Sequence, residues 1–126
     1  MTNSTKRLNY PMKNQLRFLI GCAVILLVMS FQIIKTTLSV TVRDELGNTV
    51  EGASVQLFET EEDYTKEENV AAQGVTNAKG VLKLKELKAT SYFVIVRKDD
   101  KDNSGGGEQT GKLEENKINK VTIIIQ

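Results

Sequence analysis

Asp99, Asp100, Asp102, Asn103, Ser104 and Glu108 stand close together, interleaved with Gly105, Gly106 and Gly107. Oxygen ligands on a pliable loop are what a hard cation such as Ca²⁺ takes. Laid on an EF-hand loop that starts at Asp100, positions 1, 3, 5, 6 and 9 fall on Asp100, Asp102, Ser104, Gly105 and Glu108. Position 12, where a bidentate Glu closes such a site, falls on Gly111, and no helix pattern flanks the loop. The expectation is a long, flexible polar loop and no metal, with Asp100, Asp102, Ser104 and Glu108 as the one Ca²⁺ candidate.

Residue types exclude most other chemistry. The chain has no His and no Trp, and its single Cys, Cys22, lies inside an apolar run. Without His there is no His-ligated zinc and no Ser-His or Cys-His nucleophile. The expectation is therefore no enzyme, no catalytic residue and no cofactor. Of 17 basic residues five (Lys6, Arg7, Lys13, Arg17, Lys35) fall in the first 35 positions, where no acid occurs, leaving 12 against 16 acidic residues in the remainder. A mildly acidic body has no basic patch to neutralise phosphates, which argues against nucleic acid.

The elements that must position these residues read as strands. From Gly74 to Val96 the pattern is strand, tight turn, strand, short connection, strand. Asn77-Ala78-Lys79-Gly80 is the turn of an expected hairpin: Asn bonds nearby backbone and Gly takes φ > 0 without steric cost. Leu82 and Leu84 alternate with Lys83 and Lys85, the period of a strand with one wet face, before a slip near Glu86. Tyr92 to Val96 is aromatic and β-branched throughout, as in a central strand.

Before this unit, Leu38, Val40 and Val42 alternate with polar residues, and Val55 and Leu57 mark a second strand. Glu59 to Asn69 is acidic and reads as a solvated loop or a short exposed helix; Val70 to Thr76 reads as a strand near an edge. After it, Leu113 suggests a short strand. Ile118 to Ile125 is the last strand, with Val121, Ile123 and Ile125 on one face and Ile124 on the other; it is expected to pair beside the Tyr92–Val96 strand. Six to seven short strands with turn signals between them predict an all-β, antiparallel β-sandwich following an N-terminal hydrophobic helix.

Phe18 to Met29 is uncharged and mostly apolar, and it follows Arg17, Lys13, Arg7 and Lys6. This is the layout of a signal peptide, with cleavage expected after Ser30; Met12 begins a more usual signal sequence than Met1. The alternative is a retained anchor contacting the membrane through Phe18 to Ile34, whose length just reaches a span. Leu19-Ile20-Gly21-Cys22 matches a lipobox, but the apolar run should precede that Cys; Cys22 otherwise reads as one more small apolar residue. In either case the Lys/Arg bias sends the rest of the chain outward. The organisation expected is a signal peptide or anchor at 1–30, a linker at 31–36 and a sandwich domain at 37–126, extracytoplasmic (periplasmic or secreted) or membrane-anchored outside the cytoplasm.

Two motifs carry a family resemblance. The first runs through Val40, Val42, Asp44, Gly47, Val50, Gly52, Ala53, Val55 and Leu57; the second through Thr76, Asn77, Gly80, Leu82, Leu84 and Leu87, followed by Tyr92. Together they resemble the carboxypeptidase regulatory-like domain, a transthyretin-like sandwich with a carbohydrate-binding-like fold. The resemblance implies glycines at turns, apolar residues in the core and Tyr92 tying a corner, and it implies no activity. The function expected is a non-catalytic exported module that binds, or is structural, at the cell envelope, its partner a protein or envelope component. The alternative is a carbohydrate-binding module taking a glycan, for which Tyr64, Tyr92, Phe58 and Phe93 are the aromatic candidates.

Overall fold

The computed structural model describes residues 34–105 and 107–126. The hydrophobic helix, signal peptide or anchor expected before Ile34 lies outside the described residues. Among those described, no helix is long and apolar enough to cross a membrane.

The chain forms β1 (Thr37–Asp44), β2 (Ser54–Phe58), a short helix α1 (Glu61–Lys66), β3 (Ala72–Val75), β4 (Val81–Leu84), β5 (Phe93–Lys98), β6 (Lys101–Asp102) and β7 (Ile118–Ile125). Two sheets face each other, one in the order β4-β1-β7 and the other β3-β2-β5-β6. The all-β sandwich read from the alternation is the fold. Its core is the set of inward residues that period 2 selects: Leu38, Val40 and Val42 of β1, Val55 and Leu57 of β2, Val94 and Val96 of β5, and Ile123 and Ile125 of β7. β5 is internal to its sheet and β3 lies at an edge, as their compositions imply.

Three expectations are corrected. The turn at Asn77–Gly80 does not close a hairpin, because β3 and β4 belong to different sheets. Instead it carries the chain across the open side of the sandwich. Asn77 Oδ1 accepts from the backbone N–H of Lys79 and Val81, and Gly80 adopts φ 73°. Leu82 and Leu84 then lie in register with Val40 and Leu38 of β1, which is where β4 finds its partner. The slip in alternation is a real kink: Glu86 has φ 60°, and beyond it Leu87 N–H donates to Thr36 O.

β7 does not pair with β5. It pairs with β1, in parallel, through the full register from Thr37 opposite Ile118 to Asp44 opposite Ile125. The flanks of β5 are already filled, by β2 on one side and by β6 and the segment around Gln109 on the other. The last strand is left with the free flank of β1.

The third correction concerns the loop after β5. Asn103 is buried and its carboxamide stands in for a missing stretch of strand. Oδ1 accepts from Val96 N–H at 3.0 Å, while Nδ2 donates to Val94 O at 2.9 Å and to Gly107 O at 3.0 Å. On either side the ladder continues with backbone, β6 opposite Arg97 and Lys98, and Glu108 O accepting from Val94 N–H. Leu113 is buried, as the sequence suggested, but in irregular chain rather than in a strand.

Candidate interaction surface

The residues that suggested a cation site are used in turns. Asp102 Oδ1 accepts from Ser104 N–H at 2.9 Å, and the Ser104 hydroxyl and N–H hold the Asp102 carboxyl below its ordinary pKa. Glu108 Oε1 accepts from Gly105 N–H at 3.3 Å. Asp100 sits apart from these in the β5–β6 turn, next to Asp99 at φ 53°. Among the described residues no three His, Cys, Asp or Glu side chains converge as metal ligands.

The aromatic candidates are engaged with one another or with the core. Tyr92 is buried, and its hydroxyl accepts from Lys88 N–H at 2.9 Å, tying the corner before β5 as the resemblance implied. Thr110 clamps the same residue, its Oγ1 accepting from Tyr92 N–H and its N–H donating to Tyr92 O. Tyr64 of α1 packs edge-on to Phe58 (centroids 6.1 Å) and tilted on Phe93 (5.5 Å), which are partners across β2 and β5. The helix is thus a strap across the outer face of that sheet. Thr60 caps its start by accepting from Asp63 N–H, and an ion pair from Glu67 to Arg97 of β5 fastens its end. Burial, with the neighbouring Glu108 carboxylate, raises the Tyr64 pKa. Sequence reasoning placed Tyr64 among glycan candidates and Asn103 in a cation loop, and missed that the one anchors a helix and the other completes a strand edge. A lone aromatic in an acidic run is a legible sign of an anchored strap, whereas a buried Asn among Asp, Ser and Gly gives no such sign.

With that strap on one sheet, no described helix or loop covers the outer face of the other. Its outer face carries Ser39, Thr41 and Thr122 with Lys83 and Lys120, around a shallow depression of about 460 Å³. Its longest border is β7. Thr37 N–H donates to Lys117 O, and strand alternation then turns the backbone groups of Asn119, Val121 and Ile123 toward β1. The N–H and C=O groups of Ile118, Lys120, Thr122 and Ile124 consequently point outward, along an edge that no other described strand pairs. Beside that edge runs a groove of about 440 Å³, walled by residues 110–114 and floored by Leu38, Leu113 and Val121. Ile118 and Ile124 are each 47% exposed, whereas Ile123 between them is 3% exposed.

No family model matches the chain, and no curated protein matches it. Among solved structures the sandwich is similar to the TIE protein of Bacillus anthracis, with TM-score 0.52 and 20% identity over 73% of this chain and 17% of that one. It is also similar to the shaft pilin spaA from Lactobacillus rhamnosus GG, with TM-score 0.50 and 14% identity over 72% of this chain and 49% of that one. The chain spans less than half the length of either. At such identities the likeness defines the class of fold, a two-sheet β-sandwich module of the kind found within larger proteins.

Proposed function

We propose that this chain is a non-catalytic, extracytoplasmic sandwich module whose role at the cell envelope is structural, exercised through contact with a protein partner. The observation that carries the reading is the allocation of its polar groups. The buried Thr76, Asn103 and Thr110 close turns and strand edges, and every buried side-chain nitrogen or oxygen among the described residues has a hydrogen-bond partner. Several carboxylates cap turns or meet exposed cations, as in Asp44 with Asn48, Lys35–Glu86 and Lys88–Glu59. Among the described residues no buried polar side chain is left unpaired for a substrate.

Two further observations support it. The charge asymmetry and the apolar run before Ile34 favour export. The similarity to a shaft pilin favours a building element over a receptor for small molecules. The finer assignment to the carboxypeptidase regulatory-like family fits the positions of its motif residues: Gly47, Gly52 and Gly80 have positive φ, and Thr76 Oγ1 bridges Val50 O and Ala53 N–H. The test is fractionation of the producing cell with an intact mass of the product. The expected result is a protein outside the cytosol, as a mass starting near Phe31 or as a full-length membrane-bound form. A full-length cytosolic chain would overturn the reading.

A further inference from the structure

We propose that β7 is a homotypic docking edge: two copies of the chain pair β7 with β7, antiparallel, about a two-fold axis at Val121. The inference rests on the reading of the chain as a structural module with a protein partner, and it names that partner as a second copy.

Unpaired strand edges are templates for another strand, and folds ordinarily blunt them. The edge of β5 is closed by β6, the Asn103 carboxamide and residues 108–110. β3 and β4 expose edges of four residues each, whereas β7 runs for eight. Its outward backbone groups belong to the even-numbered residues Ile118, Lys120, Thr122 and Ile124. Two such edges bond only in registers that bring even residues opposite even residues. Centred on Val121, the register places Ile118 opposite Ile124 and Lys120 opposite Thr122, on both sides of the axis. All four outward residues are then bonded, and each exposed isoleucine of β7 covers another. Centred on Lys120, the pairing would set Lys120 against Lys120, and like charges directly opposed are unfavourable. Centred on Thr122, it would set Ile118 against Gln126, whose backbone is already bonded to Asp102.

The inner side of the edge agrees with this choice. In the favoured register the two Val121 residues form a non-hydrogen-bonded pair, with Cα atoms about 4.5 Å apart. Val121 lines the groove whose floor includes Leu38 and Leu113. A second Val121 at that distance sits over the same floor and fills it with apolar atoms. The two three-stranded sheets then become one continuous sheet.

The test uses the full chain in the producing cell, with Cys22→Ser removing the only native thiol. Val121→Cys should give a disulfide-linked dimer of the chain on mild oxidation, and Leu46→Cys, 82% exposed in the turn after β1, should not. Adding Ile118→Lys with Ile124→Lys should abolish the dimer. Adding Ile118→Lys with Ile124→Glu should retain it, because only this register sets those two positions opposite each other. Both pairs lie at exposed sites, and unchanged urea melts confirm that the fold is intact. No dimer from Val121→Cys, a cross-link to a different protein only, an equal yield from Leu46→Cys, or a charge pair that fails to retain the dimer would each overturn the proposal. A chain found outside the cytosol but monomeric at β7 defeats this inference alone; a cytosolic chain defeats the reading beneath it.

Discussion

Gly80 shows how much a single residue can decide. At φ 73° an added Cβ would lie 2.9 Å from Thr49 Cβ and 3.0 Å from both Val42 O and Val50 N, so backbone strain and collision coincide. Gly80→Ala should cost on the order of 2 kcal/mol or more in a urea melt, while Gly111→Ala, whose Cβ meets nothing within 4 Å, should be near neutral. Asn103 invites a sharper experiment. Asn103→Ala leaves Val94 O and Val96 N–H without their partner and should cost roughly 1–3 kcal/mol. Asn103→Asp keeps the shape but points a carboxylate at the carbonyls of Val94 and Gly107. Burial and those carbonyls would raise its pKa above the unfolded value. That variant should therefore be least stable at neutral pH and regain stability as the pH falls through the raised pKa, which melts at two pH values will show. Equal loss at both would mean that the side chain is not buried as described.

At the scale of elements, β7 gives the plainest contrast between faces. Ile123→Ala should cost about 2–5 kcal/mol, since it opens a cavity in the core, whereas Ile124→Thr should leave the urea melt nearly unchanged. That contrast was legible in the sequence, because alternation sorts residues by face. The neighbour of β7 was not legible. Alternation is blind to which strand lies alongside, and β1 is a partner from the far end of the domain. The same blindness turned the crossing at Asn77–Gly80 into an expected hairpin, since the turn chemistry of Asn and Gly serves either path. α1 was only half legible. Its acids announced a wet surface, and its hold on the sheet depends on Tyr64 meeting Phe58 and Phe93, residues that belong to other elements. Tyr64→Ala should release the strap: limited proteolysis should cut within Glu59–Asn69 far faster than in the parent, with the strands still protected. Equal cutting rates would show that Tyr64 does not anchor it.

The whole molecule holds no histidine, so its melting temperature should be flat between about pH 8 and pH 5. Acid should matter lower down. Asn48 N–H, foremost, holds the Asp44 carboxyl below its ordinary pKa; the Lys35 ammonium does the same for Glu86, and Ser104 for Asp102. Each of these contributes stability that is complete above the ordinary carboxylate pKa and is lost as pH falls through the lowered one. Thermal melts across that range will test this, and a step between about pH 7 and pH 5 would contradict it. The parallel pairing of β1 with β7 has a consequence of another kind. The start of β1 and the end of β7 lie about 24 Å apart for eight-residue strands side by side. Tension applied between Thr37 and Ile125 pulls the two strands lengthwise in opposite senses. All the bonds from Thr37–Ile118 to Asp44–Ile125 are then loaded together in shear, and none can be peeled off one at a time. A sandwich built this way resists pulling along its strands more than pulling across them.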